Sequence, residues 1–245
     1  MGCGPSKPKR GRVISTPQNA MIHVPRREAD YNGEPIISDQ DYQLDRHTLQ
    51  AALATMADFI DSQRQNITVI TVGGAVNTLL LQTRRATHDI DFLGTNLNNN
   101  ERILLDQASK YANRKSRTPL GGNWFNNQTM LWIPANVNRD ITEQAIQQNE
   151  VVFQRRGLRI IAAPWNYALC GKMNRLVTNR DIRTYDLSDA ADYLHRYIER
   201  HGGRPVAVAE VRRWAQVFAK QTSDAVIRSV GKEYRRVYRR DGLVG

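Results

Sequence analysis

Val69-Ile70-Thr71-Val72-Gly73-Gly74-Ala75-Val76, continued by Arg85-Ala86-Thr87-His88-Asp89-Ile90-Asp91-Phe92, is the most informative part of this chain. The β-branched run ending at Val72 predicts a strand that stops at two glycines. Without a Cβ, Gly73 and Gly74 let the backbone come close to a ligand. Residues 75–82 are apolar and read as a helix, whose free N–H groups and positive dipole end would face an anion. Residues 89–93 read as a second short strand closed by Gly94. Two positions apart on a strand, Asp89 and Asp91 share one face, while Ile90 and Phe92 point into the core.

Two hard oxygen donors on one face suit magnesium, which takes one or two carboxylates together with phosphate oxygens and water. A metal there would neutralise the charge that builds as an α-phosphate is attacked and pyrophosphate leaves. Gly-Gly after a strand is commonly a plain turn, and Asp-X-Asp is commonly a solvated edge. Joined at this spacing, with Arg85 and Thr87 leading into the aspartates, they form a far more specific pattern.

On the N-terminal side, Leu49, Leu53, Met56, Phe59 and Ile60 recur at helical spacing and predict an amphipathic helix over residues 46–64. On the C-terminal side a helix is expected over 98–113, a third strand over 130–133 ended by Pro134, and a helix near 141–148. Two β-rich runs follow at 151–153 and 158–162. The remainder reads as helices over 164–177, 187–201, 206–220 and 224–239. Early strands and late helices argue for a small α/β (α+β) domain with a helical C-terminal part. The expected division is a tail and tether over 1–45, an α/β domain over 46–163, and helices over 164–245 that complete the site. No internal repeat is evident.

These residues resemble the DNA-polymerase-β-type nucleotidyltransferase superfamily, in particular its AbiEii/MenT-like toxin branch. That branch shows a Gly-Gly turn, then Arg-X-Thr-X-Asp-Ile-Asp, then a Lys and an Asp on later helices. Gly73, Gly74, Arg85, Thr87, Asp89 and Asp91 match the first parts. Ala162-Ala163-Pro164-Trp165 leading into Lys172, with Arg175, Arg183, Asp186 and Asp189 beyond, matches the last. The likeness spans residues 65–195. It implies a nucleotidyltransferase fold, a small mixed sheet flanked by helices, with magnesium on Asp89 and Asp91. It also implies a nucleoside triphosphate held by Gly73, Gly74, Arg85 and Thr87. Lys172 would contact the triphosphate and Asp186 would support the site, Asp189 being an equally close match. Many enzymes of the superfamily add a third carboxylate on a following strand. The strand expected at 130–133 carries none, and Asp140, Glu143 and Glu150 lie only nearby in sequence.

The chain has 245 residues, and 35 Lys and Arg against 24 Asp and Glu give a net charge of +11. That balance favours polyanionic partners: nucleic acid, an anionic membrane face or nucleotides. No apolar run approaches the roughly 18–20 residues of a membrane span. The two cysteines, Cys3 and Cys170, are too far apart to make a zinc knuckle, and no zinc is expected. The opening Met1-Gly2-Cys3-Gly4-Pro5-Ser6, with Lys7, Lys9, Arg10 and Arg12 behind it, fits N-myristoylation of Gly2 with S-palmitoylation of Cys3. A single acyl chain binds membranes only marginally, so Cys3 or the basic cluster would supply the second signal. The expectation is peripheral attachment to the cytoplasmic face of a membrane.

Two functions stand side by side. The first is a membrane-tethered nucleotidyltransferase moving a nucleoside monophosphate onto an unknown acceptor, for which RNA and protein are the candidates. The second is an inactive relative that binds nucleotide as an anchored scaffold. A basic RNA- or lipid-binding adaptor is a third, resting on Arg235, Arg236, Arg239 and Arg240 interleaved with Tyr234 and Tyr238. For the remaining residues the plain roles are expected: His88 at the surface, Cys170 as a small buried hydrophobe, Trp165 and Tyr167 in the core.

Overall fold

The computed structural model describes residues 41–93, 97–178 and 183–245. Gly2, Cys3 and nearly all of the tether lie outside the described residues, as does Gly94.

In chain order the elements are β1 (Leu44–Asp45), α1 (Arg46–Ser62), β2 (Ile67–Val72), α2 (Gly74–Val76), a π-turn (Asn77–Leu81), β3 (Ala86–Thr87), β4 (Ile90–Leu93), α3 (Asn99–Lys115) and β5 (Phe125–Asn126). There follow a 3₁₀ turn (Gln128–Trp132), α4 (Ala135–Gln148), β6 (Val151–Arg155), β7 (Leu158–Ala162), α5 (Trp165–Thr178) and α6 (Asp186–Arg200). The chain ends with β8 (Val206–Ala207), α7 (Val208–Val217), α8 (Asp224–Tyr238) and β9 (Leu243–Val244).

The fold is mixed α/β around a five-stranded sheet of order β5-β4-β2-β7-β6. At its centre β2 runs antiparallel to β4 and parallel to β7, and β5 extends the sheet parallel to β4. Alternation along the strands covers both faces. Ile67, Val69, Ile90, Phe92 and Ile160 pack against α1 and α3, whereas Ile70, Leu93 and Ile161 share a core with α4 to α8. Burying each such aliphatic side chain contributes about 1.5–3 kcal/mol.

Local signals account for the ends of several helices. Asp45 caps α1 by accepting from the Thr48 amide at 2.8 Å, and Asn98 and Glu101 form a reciprocal capping box on α3. Gln148 fixes the β7–α5 junction: its Nε2 donates to the Ala163 carbonyl at 3.0 Å and its Oε1 accepts from the Trp165 amide at 2.9 Å. Among the described residues no helix is long and apolar enough to cross a membrane.

Two expectations need correction. The strand expected over 130–133 is absent; that segment is the 3₁₀ turn, and the strand beside β4 is Phe125–Asn126. The Asn126 side chain captures the Gln128 amide at 3.0 Å and turns the chain away at once. The helix expected over 75–82 is one short turn that widens into a π-turn, where the Gln82 and Thr83 amides both reach the Asn77 carbonyl. On α8, Tyr234 is fully buried, and Tyr238 stacks on His195 and donates to Asp192 at 2.7 Å. The aromatics of α8 therefore face inward, and Arg235, Arg236 and Arg240 pair with Asp241, Glu233 and Glu199.

Candidate functional site

The site begins where β2 ends. Gly73 has φ +74° and ψ −136°, a conformation that costs any L-residue strain although a Cβ there would meet open space. Gly74 is required for a different reason. A Cβ on it would overlap Thr87 Oγ1 and come within 2.9 Å of Thr87 Cβ. Thr87 is itself buried, on β3 paired with β1. So Gly74 and Thr87 pack against each other behind the turn, and Gly73 is the glycine that lines the cleft.

Antiparallel register sets Asp91 directly opposite Val72, the residue before Gly73. Val72, Gly73 and Asp91 line one cleft of about 360 Å³ with Thr129, Lys172, Arg175 and Lys220, a volume in the usual range for small-ligand sites. Asp89 immediately precedes β4. Burial raises its pKa, against the pull of Arg183, His88 and a hydrogen bond from Asn126. Burial and then the neighbouring Asp89 charge push Asp91 up to about 6, against a hydrogen bond from Thr129 and the charges of Arg175 and Arg183. Two partly desolvated carboxylates, one of which raises the other's affinity for protons, also attract a divalent cation. Among the described residues no group of three or more acidic, His or Cys side chains is placed to hold a metal. In the sheet Asn126 stands beside Asp91.

Lys172 projects from α5 into a buried network. Its Nζ is 2.7 Å from Asp186 Oδ1 and 2.7 Å from Asp189 Oδ2, so both candidate helical aspartates are used. Burial drives its pKa down to about 7, with the Arg84 charge acting the same way and Asp186 opposing. At Asp186 burial favours protonation, yet the Lys172 and Arg183 hydrogen bonds outweigh it and hold the carboxyl below its ordinary value.

Arg84, not Arg85, is the arginine that turns inward. It ion-pairs with Asp189 and lies 3.5 Å over the Tyr185 ring. Arg85 is exposed and is absent from the residues lining the cleft. The π-turn supplies a further link that periodicity does not reveal. The fully buried Asn77 donates to Asp189 Oδ1 and to Thr83 Oγ1, each at 3.0 Å, and accepts from the Tyr193 hydroxyl. That hydroxyl also reaches the Gly73 carbonyl at 3.2 Å, tying the glycine turn to the Lys172 network.

The remaining residues take plain roles. His88 contacts Gln43 at 2.8 Å. Cys170 is buried, and burial pushes its thiol up to about 12. Trp165 stacks on Tyr193, and Tyr167 meets Phe218 edge-on. A separate groove of about 470 Å³, lined by Gln147, Tyr197, Arg213 and Trp214 among others, shares no residue with the Asp91 cleft. Its Arg213 is paired with Glu210.

Comparison with curated proteins and with solved structures gives no match. One family matches residues 42–241, a span that takes in the glycine turn, the acidic pair and the Lys172 network. The chain therefore belongs to the family described as a domain of unknown function, DUF7582.

Proposed function

We propose that the Asp91 cleft binds a magnesium-complexed nucleoside triphosphate on a nucleotidyltransferase-type fold and transfers the nucleoside monophosphate to an acceptor. The observation that carries this is the register pairing of Asp91 with Val72, through which a carboxylate and the Gly73 turn line one opening with Lys172 and Arg175. Asp89 and Asp91 are hard oxygen donors, and the proton affinity that burial and the Asp89 charge give Asp91 fits a divalent cation. Bound there, magnesium would neutralise charge on the phosphates. Gly73 exposes backbone to the phosphates, and the partly exposed Arg175 brings positive charge to the same cleft that Lys172 lines. Transfer forms a bond from the acceptor oxygen to the α-phosphorus and breaks the bridge to the β-phosphate. Pyrophosphate leaves and the acceptor proton passes to water. The decisive measurement is covalent labelling of RNA and protein extracts by radiolabelled triphosphates with magnesium. Asp89→Asn and Asp91→Asn should each abolish it with the fold intact, and equal labelling by either variant refutes the site.

A second reading has its own observation. Asn126 occupies the position beside Asp91 where a third carboxylate would stand, which favours binding without turnover. Calorimetry with each triphosphate, with and without magnesium, separates the two: binding with no labelling selects the scaffold.

Attachment to the cytoplasmic face of a membrane through Gly2 and Cys3 belongs to the same proposal and rests on the sequence pattern. Intact-mass measurement on protein from a eukaryotic host tests it; an unmodified Gly2 removes it.

A further inference from the structure

The cations lining the Asp91 cleft are Lys172, Arg175 and Lys220. They are not equivalent. Lys172 is neutralised by Asp186 and Asp189. Arg175 touches Asp186 at 3.4 Å with its side chain 39% exposed, and that carboxylate is already engaged by Lys172. Lys220 has no carboxylate partner among the described residues; its Nζ lies 5.7 Å over the Tyr167 ring, and burial holds its pKa below the ordinary lysine value.

The turn that presents Lys220, between α7 and α8, is preformed. Ala219 adopts φ +51°, which costs a non-glycine residue about 1–2 kcal/mol. The Ala219 and Lys220 amides close back on the Gln216 and Ala215 carbonyls at 3.1 and 2.8 Å. The next amide, Gln221, donates to Asn174 Oδ1 at 2.7 Å, and Thr222 reaches Met173 Sδ at 3.7 Å. Both acceptors are on α5, and Asn174 itself lines the cleft. A strained turn tied to the cleft wall thus holds a half-buried ammonium without a counter-charge. Such a group is costly unless an anion joins it.

The anion must answer Lys220 and the exposed face of Arg175, and any part of it that reaches the acidic side of the cleft must carry a cation. A polyphosphate chain carrying a divalent cation meets these conditions; a single carboxylate does not. We infer that Lys220 holds the outer phosphates of a polyphosphate ligand in the Asp91 cleft, a subsite that rests on the triphosphate reading above.

The experiment is calorimetry on the full chain with two probes: inorganic tripolyphosphate without metal, and ATP with magnesium. Lys220→Met should weaken both by about tenfold or more, the value of a charge-assisted hydrogen bond. Lys220→Arg should stay within about threefold of wild type, and without ligand neither variant should melt below wild type, because Lys220→Met removes an uncompensated half-buried charge. Asp91→Asn should lose only the magnesium-dependent part of ATP binding. If Lys220→Met binds both probes as wild type does while Asp91→Asn loses its part, the Lys220 assignment is overturned and the triphosphate reading stands. If Asp91→Asn keeps full magnesium-ATP binding while Lys220→Met loses both, that reading falls and Lys220 marks a site for free polyphosphate. A wild-type protein indifferent to both probes overturns both.

Discussion

Asn126 stands beside Asp91 on the neighbouring parallel strand, so a neutral amide occupies the sheet position next to the acidic pair. That amide is fully engaged: it donates to the Asn123 carbonyl at 3.0 Å, accepts from the Gln128 amide at 3.0 Å and hydrogen-bonds Asp89. Replacing it by aspartate adds a third charge to a site already short of counter-charge. Asn126→Asp should lower the metal-free melting temperature by about 2–4 °C, equivalent to about 1 kcal/mol in a chain of this size. It should also tighten magnesium binding on the order of tenfold, because cation affinity follows ligand charge. Melting curves with and without magnesium check both; a variant melting like wild type in each condition shows that position 126 does not face the pair.

The Lys172–Asp186–Asp189 network should behave as a buried ion cluster. Asp186→Asn leaves the ammonium with one carboxylate in place of two and should destabilise the protein by about 3–5 kcal/mol at pH 7. The pH dependence has a definite sign. Asp186 is held below its unfolded pKa, so its stabilisation is present in full above the unfolded value near 3.9 and is lost as pH falls through the folded value. The gap between variant and wild type should therefore narrow only below about pH 4. Urea titrations across pH 3–7 measure it, and a gap that closes nearer neutrality contradicts the assignment.

The two glycines should fail in different ways. Gly74→Ala collides with Thr87 and should cost about 1–3 kcal/mol, as overpacking does. Adding Thr87→Ala should recover part of that loss, not all, because the Thr87 Cβ at 2.9 Å remains. Gly73→Ala meets no atom but must adopt φ +74°, so its cost is backbone strain of about 1–3 kcal/mol that Thr87→Ala does not relieve. A double-mutant cycle on thermal stability distinguishes the two mechanisms.

Cys170 should be inert in the folded protein. With its thiol pushed up to about 12 by burial, almost none is thiolate at neutral pH. Iodoacetamide at pH 8 should leave the Cys170 peptide unlabelled until denaturant is added. Rapid native labelling would mean that the α5 core opens.

The amphipathic stripe of α1, the strand ending at Gly73 and the alternation of Asp89 to Phe92 were legible because each is a local periodicity carried by neighbouring residues. Lys172, Asp186 and Asp189 came into view only through the family resemblance; that both aspartates are used follows from α6, where positions three apart share one face. Short elements were less legible. Phe125–Asn126 has no period to detect, while Met-Leu-Trp-Ile imitates a strand and turns out to be a 3₁₀ turn.

Choosing Arg84 over Arg85 lay beyond any such pattern. Adjacent residues differ only in the side they face, and here the π-turn and the Asp189 carboxylate settle that side. The same holds for Asn77, whose amide meets Asp189 across 112 positions, and for Tyr193, which reaches Gly73 across 120. Periodicity records which face of an element is buried. Which distant side chain that face meets depends on how the elements pack, and in this protein that packing joins the glycine turn to the charged network beneath it.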